Sequence, residues 1–130
     1  MQLNHPAPHN EIDWAGWEAV IRTNGYAIDR PENSIHPTHG DIRYPLDYGY
    51  IRDTEGLDGQ EVDLFVGSGN GGLVGIMFTT DFRKMDEEYK FLFNCTAREI
   101  YLAHGFINFD RSLMSGELVL RHPMADLWGD

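Results

Sequence analysis

Cysteine and cationic side chains are both scarce in this chain. Ten Lys and Arg stand against 21 Asp and Glu in 130 residues, a formal net charge of −11. No Lys/Arg cluster along any segment offsets that balance locally, so a phosphate backbone would be repelled and nucleic acid is not an expected partner. The single cysteine, Cys95, cannot form an internal disulfide and has no second thiolate for a zinc site. That usage fits a reducing, cytoplasmic setting. The N-terminus shows no basic region followed by an apolar run, and no hydrophobic stretch approaches membrane-spanning length. A soluble protein with no membrane partner is expected.

Apolar content is sufficient for a core, at 42% hydrophobic and 12% aromatic residues. The length fits one domain, residues 1–130, burying roughly two-thirds of its unfolded surface. Residues 1–12, with His5, Pro6, Pro8 and His9, read as an irregular arm. Trp14, Trp17, Val20 and Ile21 then recur at helical spacing from about Asp13. Thr96 and Glu99 match a capping box for a second helix through Ala97, Ile100, Tyr101 and His104, with Gly105 as its stop.

Strands are expected at 26–30, 42–44, 48–52 and 62–66 and from Leu73 onward. Pro31 to Gly40 reads as a loop able to close over a site. The glycine-rich Gly67 to Gly72 lacks the Lys and Ser/Thr of a phosphate loop and reads as a hairpin connection. One or two strands around a Ser115–Gly116 turn and a short amphipathic piece at MADLW complete the chain. The pattern gives a small α+β fold, a twisted barrel or sheet with one or two flanking helices.

The densest chemistry lies between Tyr44 and Val66, YPLDYGYIRDTEGLDGQEVDLFV. Strand alternation puts Glu61 and Asp63 on one face, and Gly59 allows a turn to fold Asp58 back toward them. Converging carboxylates repel one another unless cations intervene, and oxygen ligands suit a hard divalent ion. An exposed acidic turn is the alternative. Tyr44, Tyr48, Arg43 and Arg52 can hold anionic oxygens nearby. A second acidic group, TTDFRKMDEEYK, spaces Asp81 and Asp86 as Asp58 and Asp63 are spaced, with Lys84 and Lys90 as cations. It also reads as an ordinary solvated loop.

The segment YPLDYGYI, followed by DGQEVD and an apolar strand, resembles the central motif of soluble family I inorganic pyrophosphatases. In length the chain is most similar to the short pyrophosphatase-like domains of phages and mobile elements. The resemblance implies an OB-like five-stranded barrel with flanking helices. It also implies hydrolysis of inorganic pyrophosphate or a related phosphoanhydride, with Mg²⁺ or Mn²⁺ as cofactor and metal-activated water. By position it implies Asp58, Asp63, Asp81 and Asp86 as metal ligands and Tyr48 beside the nucleophile. Arg30, Arg43, Tyr44, Lys90 and His36 become the phosphate-binding set. Gln60 stands where the signature has its middle aspartate; an amide can orient water but cannot take its proton, and Glu61 is the adjacent carboxylate. The family's lysine follows its later aspartate by two residues, whereas Lys90 lies four after Asp86. Family members often assemble, so a homo-oligomer is compatible.

Two other functional classes fit the same residues. A catalytically weak or inactive pyrophosphatase-like binding or regulatory module is favoured by Gln60 and by Ala27, which stands where the family has an acid. In a structural protein the acidic turns would merely face solvent, with Trp14, Trp17 or Trp128 marking a partner surface.

Overall fold

A computed structural model describes residues 12–127. Trp128 and the arm's histidines lie outside the described residues. Helix α1 (Trp14–Asn24) leads into β1 (Tyr26–Arg30), β2 (Asp47–Ile51), β3 (Asp63–Val66), β4 (Leu73–Asp81) and β5 (Asp86–Phe93). Helix α2 (Ala97–Ile107), β6 (Met114–Leu120) and the short α3 (Met124–Leu127) follow. The strands form one six-stranded sheet in the order β1-β2-β3-β5-β4-β6. All neighbours are antiparallel except β3 and β5.

The mixed α+β class is as expected, but the sheet has six strands in place of five and β1 and β6 are unpaired edges. The additional strand is β5. Its charged first half, DEEYK, resembles a loop in sequence, yet it occupies a central position between β3 and β4. Consequently Gly67 to Gly72 is not a hairpin turn. It carries the chain past β5, and its amides are already engaged: Gly67 and Gly69 donate to Phe93 and Asn94 carbonyls, while Ser68 donates to the Glu99 carboxylate. Of the expected strand at 42–44 only an isolated bridge, Ile35 to Arg43, forms within the 31–46 excursion.

Alternation along the strands divides the core into two layers. On one face Ile51, Leu64, Ile76 and Phe91 pack against Trp14, Trp17 and Ile21 of α1. The Trp17 and Phe91 rings meet edge to face at 5.0 Å. Trp14 and Trp17 are therefore core residues and not a partner surface. On the other face Phe65, Met77 and Leu92 pack against Ile100, Ala103 and Ile107 of α2. Each such fully buried side chain contributes about 1.5–3 kcal/mol. Buried Cys95 belongs to this second layer, and burial first of all pushes its thiol up to about 12.

Local signals set the helix starts. The Asp13 carboxylate accepts from the Gly16 amide at 3.0 Å. At α2 both halves of the capping box form, Thr96 N–H to Glu99 Oε1 at 2.9 Å and Glu99 N–H to Thr96 Oγ1 at 3.2 Å. The expected stop at Gly105 does not occur. Asn108 ends the helix instead, its amide group bonded to the His104 carbonyl and across to the backbone of Gly116. That lock also keeps Ser115 and Gly116 within one continuous β6.

Gly49 is where the sheet tolerates no side chain. A Cβ there would run into the Ala27 carbonyl oxygen of β1 and lie 2.9 Å from the Ile28 Cα. Gly49→Ala should cost about 3 kcal/mol, as overpacking against backbone does. A urea melt is the check, and an unchanged midpoint would refute the close β1–β2 approach.

Candidate functional site

The α2 face of the sheet carries a polar cluster at one end. Asp63 of β3 pairs with Lys90 of parallel β5, and Tyr48 of β2 pairs with Phe65, two residues along β3 on the same face. Glu88, two residues before Lys90, shares that face. Lys90 is only 4% exposed. Its ammonium donates to the Tyr48 hydroxyl at 2.6 Å, to Glu88 Oε2 at 2.6 Å and to Asp63 Oδ2 at 3.1 Å. The Tyr48 hydroxyl in turn donates to Asp63 Oδ2 at 2.6 Å. The Asp58 carboxyl lies on its turn close enough to help raise the Glu88 pKa, and its Oδ1 accepts from the Gln60 amide at 3.0 Å.

Charge balance follows from that crowding. Burial works against the Lys90 ammonium, but Tyr48, Asp63 and Glu88 together outweigh it and hold Lys90 well above the ordinary lysine range. Burial pushes the Tyr48 phenol far upward, only partly offset by Lys90. One ammonium cannot balance three neighbouring carboxylates. Burial, opposed by Lys90 and reinforced by Asp63 and Asp58, pushes the Glu88 carboxyl up to about 7.

The cluster forms one end of a cavity of about 470 Å³. Both lysines in the chain, Lys84 and Lys90, line it. Arg83 and Lys84 stand on the β4–β5 turn, which buried Asp81 organises by accepting from their amides at 3.0 and 3.2 Å. The 31–46 excursion supplies another wall, where His36 stacks on Tyr44 with ring centroids 5.8 Å apart. Burial, then His39, Arg83 and Arg30, lowers the His36 pKa, so this imidazole is a neutral wall and not a source of charge.

Of the residues singled out from sequence, Tyr48, Asp63 and Lys90 come together at the cluster, while Asp58 stands on the turn before β3, outside the cavity lining, near enough to influence Glu88. Asp81, Tyr44 and His36 line the same cavity. Arg30 donates to the Asp29 carbonyl at 3.3 Å and lies outside the cavity lining, and Arg43 turns away to donate to the Asn33 carbonyl at 2.8 Å. Gln60 and Glu61 are exposed on the turn before β3, outside the cavity lining; the strand begins only at Asp63, so alternation does not carry Glu61 inward. Asp86, the cross-strand partner of Asp81, is exposed and also outside the lining. Glu88, Arg83, His39 and the aromatic wall of Phe106 and Phe109 were not anticipated. The signal for Glu88 was available, since it and not Asp86 stands two residues before Lys90.

Carboxylate oxygens at Asp58, Asp63 and Glu88 fit a hard divalent cation by donor chemistry, and a carboxyl that retains its proton to about 7 marks a point where positive charge is wanted. Among the described residues, however, no three Asp, Glu, His or Cys side chains are grouped so as to hold a metal ion together. No helix among those residues is long and apolar enough to cross a membrane.

No family model matches the chain, and neither does any curated protein. Solved structures do. An inorganic pyrophosphatase from Coxiella burnetii superposes with a TM-score of 0.56 at 16% identity, covering 74% of this chain and 84% of the other. A protein from Anaplasma phagocytophilum described as an inorganic phosphatase gives 0.54 at 16% identity over 74% and 83%. The inorganic pyrophosphatase of Helicobacter pylori gives 0.51 at 13% identity over 79% and 87%. At these identities the likeness is one of fold.

The Glu88 shift sets a pH dependence in the absence of added metal. A carboxyl whose folded pKa is raised to about 7 gives stability that is full below its unfolded value and lost as pH rises through about 7. The melting temperature should therefore fall between about pH 5 and 8. Glu88→Gln should flatten that slope; equal slopes in both proteins would show that Glu88 is not the titrating group.

Proposed function

We propose that this cavity hydrolyses inorganic pyrophosphate or a related phosphoanhydride with the help of Mg²⁺ or Mn²⁺. One observation carries the reading. A phenol, carboxylates and a buried ammonium share one hydrogen-bonded cluster, inside a cavity that also receives Arg83 and Lys84, on a pyrophosphatase-like fold.

In this reading Asp58 and Asp63 hold the cation, which supplies charge neutralisation of the diphosphate and acidification of water. Asp81 keeps the turn of Arg83 and Lys84 in shape, and those two cations take phosphate oxygens while Lys90, its three donors held by Tyr48, Asp63 and Glu88, adds charge from behind. Tyr48 orients Asp63. Glu88, on the same face of the sheet as Asp63 and in the cavity lining, accepts the proton of the attacking water. The water oxygen bonds to phosphorus, the bridging P–O bond breaks, and the leaving phosphate carries off the electron pair. Glu88 here takes the proton-accepting role that the resemblance gives to the signature's middle aspartate, where this chain has Gln60, and Asp86, Gln60 and Glu61 have no part in the chemistry.

A noncatalytic phosphate-binding module is the second reading. The internal closure of Lys90 on Asp63 and Glu88, with Gln60 outside the cavity, favours it.

Phosphate release from pyrophosphate, with and without Mg²⁺, separates the two. Hydrolysis predicts Mg²⁺-dependent release that Asp63→Asn lowers by about 100-fold or more. Release unaffected by that substitution would refute the site assignment. No release at any Mg²⁺ level would refute the hydrolase, and a melting temperature raised by Mg²⁺ and pyrophosphate together would then support the binding module.

A further inference from the structure

We infer that the substrate of this cavity carries an aromatic group, and that its chemical class is the nucleoside diphosphates and not inorganic pyrophosphate alone. This rests on the phosphoanhydride reading above and adds what the rest of the cavity implies. Inorganic pyrophosphate is a compact anion whose surface is entirely oxygen; it has nothing to place against an apolar wall.

The cavity, at about 470 Å³, is within the range of sites for drug-sized ligands. Its cations and carboxylates occupy the sheet end and the β4–β5 turn. The same lining also carries the apolar side chains of Ile42, Phe106, Phe109, Leu113 and Met114, with the Asp110 carboxylate next to Phe109 and Met114 paired across from Asp81. Phe109 follows the end of α2 and is 75% exposed although it lines the cavity. A large aromatic surface left in water beside a cation-bearing cleft is a stacking platform awaiting a ring.

The other walls point to a heteroaromatic ring and not an aliphatic tail. His36 and Tyr44 are stacked within 5° of parallel, Tyr44 meets Phe106 at 5.0 Å, and His36 meets His39 at 5.0 Å. The lining from the 31–46 excursion thus combines ring faces with the hydrogen-bonding edges of His36, Thr38 and His39. A base, which has both a π face and polar edges, is complementary to such a wall. The anhydride would lie between Lys90 and the Arg83–Lys84 turn, with the base directed toward Phe106 and Phe109.

The reaction is hydrolysis of a nucleoside diphosphate to the monophosphate and inorganic phosphate. Water's oxygen forms the new bond to phosphorus, the bridging P–O bond breaks with its electrons on the leaving phosphate, and water's proton passes to Glu88.

The test compares kcat/KM for ADP, geranyl diphosphate and pyrophosphate under Mg²⁺, with ADP binding measured alongside by calorimetry, in the wild type, Phe109→Ala and Phe109→Tyr. ADP should be the preferred substrate. Phe109→Ala should lower the ratio of ADP to pyrophosphate turnover by about tenfold or more, the loss expected on removing a base-stacking ring, and Phe109→Tyr should restore it. Pyrophosphate cleaved while ADP is left uncleaved would overturn this inference and leave the phosphoanhydride reading standing. An unchanged ratio in Phe109→Ala, or preference for geranyl diphosphate, would overturn the aromatic seat. If none of the three is cleaved and ADP does not bind, the phosphoanhydride reading fails and this inference with it.

Discussion

The buried ammonium of Lys90 is the constraint on which the site depends. Withdrawing such a charge from water costs several kcal/mol unless opposite charge and hydrogen bonds surround it. Here Asp63 and Glu88 supply the charge and Tyr48 accepts a third hydrogen bond. Those groups come from β2, β3 and β5, so satisfying one ammonium ties three neighbouring strands to a single alignment. A one-residue slip of β5 would turn Lys90 into the α1 layer and leave Asp63 without its cation. Fold and site are thus specified by the same interaction.

The two-layer core explains why the cluster can be both buried and reachable. Helix α2 covers the face of Phe65 and Leu92, and the 31–46 excursion and the segment after α2 leave the cavity open beside it. Aromatic contacts run continuously from His36 through Tyr44 and Tyr48 to Phe65. The polar end is therefore supported by ring packing, which excludes water from Lys90 and strengthens each electrostatic contact there.

Much of this was readable from sequence wherever the determinant is local. Asp13 and the Thr96–Glu99 pair mark helix starts, and Tyr48, Asp63 and Lys90 stand out by residue type and by the motif resemblance. The failures have a common cause. Strand β5 is disguised because its inward side chains are Glu88 and Lys90, which neutralise each other only after pairing with β3, a contact no local pattern encodes. The same mistake made Asp86 more prominent than Glu88. Asn108 and not Gly105 ends α2 because Asn108 can also bond Gly116 across space. Motif position points to Gln60 and strand alternation to Glu61, but the strand begins only at Asp63 and both side chains stay on the exposed turn before it.

Protonation of Lys90 is the most direct test of this arrangement, and the chain makes it simple because only two lysines are present. Side-chain ¹⁵N NMR through a pH titration should show Lys90 retaining its ammonium signal beyond about pH 10.4, where an ordinary lysine is half deprotonated. Loss of that signal at or below this pH, with the protein still folded, would contradict a cluster built around its charge.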